Sequence, residues 1–295
     1  MYREIQVKFV LNKLKRRDSW FLVNYTVNPF ESCSFNCLYC YVHGSKYGKH
    51  LADHLSIKKN APEILDRQLR NRAKKNDYGI IGLGSATDPY LPIEKELQLT
   101  RQLLEIIAHH RFPVFISTKS DLVLRDIDLF QRINEAAILP SDLEKKLQHK
   151  CIITFSFSTM DKSITGIIES GTPSPAKRLE TMKELSLQNI FTGVNLIPVL
   201  PFISDTEKEL EKMISASALH GAKFALTGGL TLFGEDAGDS KTMMFKYIEK
   251  YHPHLLSAYK EMFDGNSYEG RHYQNKLLIR STKFCKKYNI KYSIL

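Results

Sequence analysis

The chain of 295 residues contains no long hydrophobic run. Nothing in it approaches the roughly 18 apolar residues of a membrane-spanning helix, so no membrane role is expected. The opening segment, Met1 to Asp18, is charged and broken, without the apolar core of a secretory signal. A cytoplasmic location is therefore expected. Cysteine is scarce: the five residues form no paired framework, which suits a reducing compartment and excludes a disulfide-stapled scaffold. No composition break requires a second domain, and no internal repeat is present. What remains is ordinary for a globular protein, with 43% hydrophobic and 25% charged residues. The length suffices for one large domain or two small ones. The net charge of +10 permits nucleic acid or an acidic protein as partner. The basic residues are spread along the chain, however. The denser groups at Lys13 to Arg17, Arg67 to Lys75 and Lys283 to Lys291 also read as solvated helix faces or terminal arms.

Three of the five cysteines fall in one short stretch, Cys33-Ser34-Phe35-Asn36-Cys37-Leu38-Tyr39-Cys40, at spacings of four and three. Thiolates so placed can hold three irons of a cubane [4Fe–4S] cluster, which ordinarily takes four cysteines. The fourth iron would then take a ligand from outside the chain, and an open position marks a reactive metal site. The alternative is a zinc knot, for which His43 is the nearest fourth ligand; His43 also reads as a solvated loop histidine. Cys151 and Cys285 are isolated, cannot bind a second cubane by themselves, and are expected in the core.

Strand and helix patterns alternate along the chain. Strands are predicted at Trp20 to Val27, Tyr78 to Leu83, Pro113 to Ser117, Cys151 to Phe157, Ile190 to Leu200 and Ala222 to Leu226. Helices are predicted from Pro62 to about Lys75, Glu94 to His109, 125–149 with a break at Pro140-Ser141, Pro175 to Gln188 and Ser204 to His220. In the break, Ser141 is a candidate cap for the second piece, and Ser174 with Pro175 should open the helix that follows. Six strands separated by helices indicate an α/β fold with a parallel sheet. Six units are too few for a closed eight-stranded barrel, so an open, TIM-like (β/α)6 partial barrel is expected, its metal loop at a strand's C-terminal end. Residues 1–20 read as a basic lead-in, 21–235 as the barrel, and 236–295 as a helical extension covering an edge or the mouth.

The pattern C-x3-C-x2-C, with an aromatic before its last cysteine, resembles the radical S-adenosylmethionine (radical SAM) superfamily. The run Thr87 to Glu94 resembles a subgroup related to spore photoproduct lyase. The resemblance implies the partial barrel, a [4Fe–4S] cluster on Cys33, Cys37 and Cys40, and S-adenosylmethionine chelating the open iron. It implies reductive cleavage to a 5′-deoxyadenosyl radical that abstracts hydrogen from a substrate. It also implies a one-electron reductant of flavodoxin or ferredoxin type.

Tyr39 matches the family's aromatic position, whose backbone faces adenine. Where many members end the second strand in Gly-Gly-Glu, this chain has Gly84 to Pro89, and Ser85 and Thr87 are candidates to accept from the methionyl ammonium. Asp88 either shares that duty or caps the turn. Lys119, at the third strand's end, matches a lysine expected to neutralise the methionyl carboxylate. Ser156 and Ser158 share one face of the fourth strand and suit ribose or carboxylate contacts; they also read as core serines. Arg178 is a further carboxylate candidate. Pro198 and Val199 match a run that flanks adenine and read equally well as core. Extra-cluster subtypes such as SPASM do not fit, because the cysteines are too few. Photoproduct lyase carries a reactive cysteine near the second strand's end; Leu83 to Asp88 has none, so thymine-dimer repair is not expected. Tyr41, Tyr47 and Tyr90 are candidate hydrogen relays or packing aromatics. The expected substrate is macromolecular, nucleic acid ahead of peptide. The rival class is a non-catalytic zinc or iron–sulfur module that binds nucleic acid or protein.

Overall fold

The computed structural model describes residues 2–46, 48, 54–264 and 267–295. Its strands are β1 (Arg3–Ile5), β2 (Asn12–Lys13), β3 (Tyr25–Val27), β4 (Phe30–Glu31), β5 (Ser56–Lys58), β6 (Ile81–Leu83), β7 (Val114–Thr118), β8 (Cys151–Ser156), β9 (Phe191–Val199) and β10 (Ala225–Gly229). The α-helices are α1 (Ala61–Ala73), α2 (Glu94–Leu97), α3 (Leu99–His109), α4 (Ile127–Ala136), α5 (Lys162–Ile168), α6 (Pro175–Leu187), α7 (Glu207–Leu219), α8 (Ser240–Tyr251), α9 (Leu256–Asp264) and α10 (Ser267–Lys287).

Strands β3, β6, β7, β8, β9 and β10 pair in that order, all parallel, and β2 adds antiparallel to β3. Among the described residues no pairing joins β10 to the β3 edge. The result is an open, α/β partial barrel of six parallel strands. A small second sheet, β1-β5-β4, lies beside it. On the β10 edge the Gln274 side chain acts as a surrogate strand. It accepts from Gly229 N at 2.8 Å and donates to Thr227 O at 2.9 Å, and so satisfies an edge that would otherwise be exposed. No helix among the described residues is long and apolar enough to cross a membrane.

Alternation along the strands separates two faces. Val114, Ile116, Ile153, Phe155, Val194 and Leu196 pack in the main core that includes the surrounding helices. Phe115, Ile152, Phe224 and Leu226 face inward and form a second core with Leu22, Val23, Ile80, Leu139, Leu143 and Leu147. The latter residues precede strands, so they plug the N-terminal end of the barrel with apolar side chains. Cys151 and Cys285 are buried in the main core, as expected.

Several local expectations change. The first strand is shorter than predicted, because the Asp18 carboxylate accepts from the backbone N–H groups of Trp20 and Phe21 and folds that stretch into a turn. Gln98 adopts a left-handed φ of 49° and splits the predicted Glu94–His109 helix into α2 and α3. Residues 141–146 form turns rather than a second helix, and Ser141 caps none; Leu143 and Leu147 are drawn into the barrel plug. Helix α5 is a finding that the sequence reading lacks. The opening of α6 agrees with expectation: Ser174 Oγ accepts from Lys177 N at 3.3 Å, and Pro175 occupies the first turn.

Candidate active site

The cysteine loop follows β4 at the C-terminal end of the barrel strands. Tight turns shape it: Ser32 and Asn36 take positive φ, Asn36 N donates to Cys33 O at 3.3 Å, and Cys40 N donates to Cys37 O at 3.1 Å. Both flanks are anchored. On one, Thr87 Oγ1 donates to Ser32 O at 2.7 Å, and the Tyr41 hydroxyl donates to Ser85 O. On the other, Leu38 N donates to Ile168 O at 2.9 Å. Gly171 abuts the loop so closely that an added Cβ would stand 2.8 Å from the carbonyl oxygens of Ser34 and Phe35. A side chain there would push the cysteine loop outward.

Burial raises all three thiols, Cys33 to about 11 and Cys37 to about 12. For Cys37 the nearby Lys119 ammonium opposes that rise. Burial also works to lower Lys119, but the Cys37 thiol and the Glu169 carboxylate outweigh it and hold the ammonium above its ordinary value. Lys119 Nζ lies 5.8 Å from the centre of the Tyr39 ring. Among the described residues no carboxylate is ion-paired with it; its backbone N–H, in contrast, donates to Asp88 Oδ2 at 2.7 Å.

The loop rests on a buried ion pair. Glu169, immediately after α5, is 1% exposed, and Arg178 in α6 is fully buried. One Glu169 oxygen accepts from the Tyr39 hydroxyl and from Ser158 Oγ at 2.6 Å; the other accepts from Arg178. Burial alone would raise the Glu169 carboxyl, yet Arg178 and Lys119, with those hydrogen bonds, hold it below its ordinary value. The remaining Arg178 donors go to Pro173 O at 2.8 Å, Ser156 O at 2.9 Å and Thr172 Oγ1. Arg178 is thus committed to protein groups and meets the site through Glu169, where the sequence reading placed it on a cofactor carboxylate. Glu169 went unnoticed in the sequence. Its signal was a lone acid between Ile167-Ile168 and Gly171-Thr172-Pro173, apolar and turn-forming neighbours that leave a carboxylate nowhere to go but inward.

The run Thr87 to Glu94 is a buttress behind the loop. Asp88 accepts from Tyr90 N, Thr118 Oγ1 and Lys119 N at 2.7–2.8 Å, so it caps the turn. Tyr90 is fully buried and donates to Asp126, which removes it as a hydrogen relay. Glu94 accepts from Thr100 N and Arg125. Ser85 exchanges hydrogen bonds with the Asn28 side chain. Tyr47 lies outside the described residues. His43 faces Asp239, and its carbonyl accepts from Ser240 Oγ at 3.0 Å.

Below Lys119 the inner face is polar. Ser117 Oγ and Ser156 Oγ are 3.3 Å apart, and Asn195 Nδ2 donates to Ser117 Oγ at 3.0 Å and Thr154 Oγ1 at 2.9 Å. Ser158 is fully buried with its hydroxyl on Glu169. Pro198, after a cis peptide bond, and Val199 are buried at the end of β9, Val199 within the main core. The structure therefore gathers Tyr39, Ser158 and Arg178 directly on Glu169, with Cys37 and Lys119 within electrostatic reach of it and Ser156 beside them, while Cys33 lies against Asp88. Ser85 and Thr87 stand on the opposite flank of the loop.

The donor set suits a cubane. Three thiols within eight residues can each take a separate corner, with a cation beside them to offset the charge of the thiolates. Among the described residues no three His, Cys, Asp or Glu side chains converge as the ligands of a single ion would.

Comparison with known proteins agrees with this geometry. The profile described as the radical SAM superfamily matches residues 27–214. The chain belongs to the radical SAM superfamily, whose members use S-adenosylmethionine in radical reactions. An uncharacterized protein of Mycobacterium tuberculosis is 27% identical over 98% of this chain and 81% of its own length. A protein of Pseudomonas phage M6 named radical SAM Nalpha-GlyT isomerase is 24% identical over 79% of this chain and 44% of its own. Among solved structures, a spore photoproduct lyase variant with bound AdoMet and dinucleoside spore photoproduct has a TM-score of 0.68 at 14% identity. That likeness covers 98% of this chain and 80% of the lyase.

Proposed function

We propose that the chain binds a [4Fe–4S] cluster through Cys33, Cys37 and Cys40 and cleaves S-adenosylmethionine reductively. When bound, the cluster and S-adenosylmethionine supply a 5′-deoxyadenosyl radical for hydrogen abstraction, in a lyase- or transferase-type reaction. The observation that carries this reading is Lys119: a half-buried ammonium beside Cys37 and over the Tyr39 ring, with no ion-paired carboxylate among the described residues. Its free charge suits the methionyl carboxylate, a charge-assisted contact. Ser85 Oγ and Thr87 Oγ1 retain acceptor capacity for the methionyl ammonium. Tyr39, pinned by its hydroxyl to Glu169, presents its backbone at the end of the cysteine loop. Ser156, Ser158, Pro198 and Val199 frame the adenosine side, and Arg178 acts by fixing Glu169.

Nucleic acid is the proposed substrate class, ahead of peptide. The net charge of +10 favours it, and Tyr41, Phe202 and Phe233 are exposed on loops that follow β4, β9 and β10, where bases could stack. The photoproduct lyase fold likeness is compatible with it, while the absence of cysteine from Leu83 to Asp88 speaks against dimer repair. A solved likeness at TM-score 0.54, the Streptococcus suis protein SuiB bound to precursor peptide SuiA, keeps peptide as the second class. The proposed setting is the cytoplasm, with a flavodoxin- or ferredoxin-type reductant. Anaerobic reconstitution tests the reading: about four irons and four sulfides per chain are expected. Stoichiometric zinc without sulfide would instead support a non-catalytic metal-binding module.

A further inference from the structure

Among the described residues, the inner polar layer holds one buried side-chain atom without a hydrogen-bond partner. Asn195 is 4% exposed, and its Oδ1 is buried without a hydrogen-bond partner. The orientation of its amide follows from its neighbours. Thr154 Oγ1 gives its only proton to Ile116 O at 3.1 Å, so toward Asn195 it can only accept. Nitrogen therefore faces Thr154 in this network; the turned-over amide would need the Thr154 and Ser117 hydroxyls to swing onto its oxygen and would leave its two N–H groups unpaired instead. The same nitrogen serves Ser117 Oγ. Oxygen is left as a pure acceptor.

A buried orphan acceptor is costly unless something satisfies it. Its place in the barrel says what could. Asn195 shares the inward face with Ser117, Thr154 and Ser156; beneath them lies the apolar plug of Phe115, Ile152, Phe224 and Leu226, and Lys119 and Ser158 follow just beyond the C-terminal ends of β7 and β8. The plug contributes no donor. The layer thus lies between the plug and the C-terminal end of the strands, the mouth of the barrel where Lys119 and the cysteine loop sit.

We propose that Asn195 Oδ1 is a recognition point for an N–H or O–H donor of the molecule bound over this layer. Such a donor is supplied by the sugar hydroxyls or exocyclic amine of S-adenosylmethionine, or by a nucleobase of the substrate. The inference rests on the reading of the mouth as the cofactor and substrate site.

The test compares wild type with Asn195→Leu and Asn195→Asp, each reconstituted anaerobically. Isothermal titration reads S-adenosylmethionine affinity, and fluorescence anisotropy reads affinity for a short single-stranded DNA oligomer. Asn195→Leu should weaken one of the two ligands by about tenfold, the size of one lost buried hydrogen bond. Asn195→Asp keeps an acceptor but loses the donor to Ser117 and Thr154, so ligand affinity retained in it but lost in Asn195→Leu isolates the acceptor; circular dichroism and melting of both variants check the fold. Loss confined to S-adenosylmethionine assigns the donor to the cofactor; loss confined to DNA assigns it to the substrate. Unchanged affinity for both ligands in a folded Asn195→Leu protein overturns the proposal. So does an ordered water on Oδ1 that persists in the crystal structure of the S-adenosylmethionine complex. A wild type that binds neither ligand would instead overturn the reading of the site beneath it, a separate outcome.

Discussion

Arg178→Leu is the most informative single perturbation of the loop support. It strands the Glu169 carboxylate, which is 1% exposed, without its buried cation. Removing one partner of a buried pair typically destabilises by about 3–5 kcal/mol. At about 2–4 °C per kcal/mol for domains of a few hundred residues, melting should fall by about 6–20 °C. Glu169→Leu should cost a similar amount, because it strands Arg178 instead. The double variant should lose much less than the sum, since replacing a buried pair by apolar groups removes the uncompensated charge. It still lacks the acceptor for Tyr39 and Ser158, however. The double variant should therefore melt nearer to wild type than additivity allows, yet retain iron poorly after reconstitution and desalting. The assay is anaerobic thermal unfolding of the four proteins of the cycle, paired with iron and sulfide analysis. Additive losses, or single variants that melt with wild type, would refute the ion-pair account. A double variant with full, stable iron would refute the link from Glu169 through Tyr39 to the cysteine loop.

Four further outcomes are expected. Lys119→Ala should weaken S-adenosylmethionine binding by about 1.5–3 kcal/mol, measured by titration; unchanged affinity would remove Lys119 from the carboxylate contact. Alanine at Cys33, Cys37 or Cys40 should abolish the cluster absorbance near ~400 nm or leave it labile, whereas Cys151→Ala and Cys285→Ala should keep iron content, because both thiols are buried apart from the loop. Burial raises the Glu94 carboxyl from 4.5 to about 7, against the Thr100 and Arg125 hydrogen bonds. A raised folded-state value means that its stabilising contribution is complete below about 4.5 and lost as pH rises through about 7. Stability relative to Glu94→Gln should decline across that window in urea titrations, and a flat difference would contradict the assignment. If nucleic acid is the substrate, binding should weaken with salt at a log–log slope of about −3.5 to −4.5 for about five phosphate contacts; no anisotropy change at low salt would turn the search to peptides.

The cysteine triad stands out because its three members are neighbours in sequence, and the six-strand alternation was legible because hydrophobic periodicity is local. Ser174-Pro175 was legible for the same reason: a cap acts within one turn. The support of the site was not. Glu169 meets Tyr39 across 130 positions and Arg178 across a turn whose direction no periodicity encodes. Arg178 read as a free cation because its partner was unseen. Asp88 and Tyr90 read as candidate chemistry because sequence shows a polar side chain but not the buried Thr118 and Asp126 that engage it. The shortened first strand and the split at Gln98 turn on single backbone choices, a side-chain turn at Asp18 and a positive φ, that compete with propensity on nearly equal terms.

The central claim is reductive cleavage of S-adenosylmethionine at the triad, and product analysis after reduction tests it most directly. Anaerobically reconstituted protein, reduced with dithionite and given S-adenosylmethionine alone, should release 5′-deoxyadenosine and methionine in equal amounts, slowly and above a Cys37→Ala control. Protein that carries a full cluster and binds S-adenosylmethionine, yet releases no more 5′-deoxyadenosine than Cys37→Ala, would contradict the account.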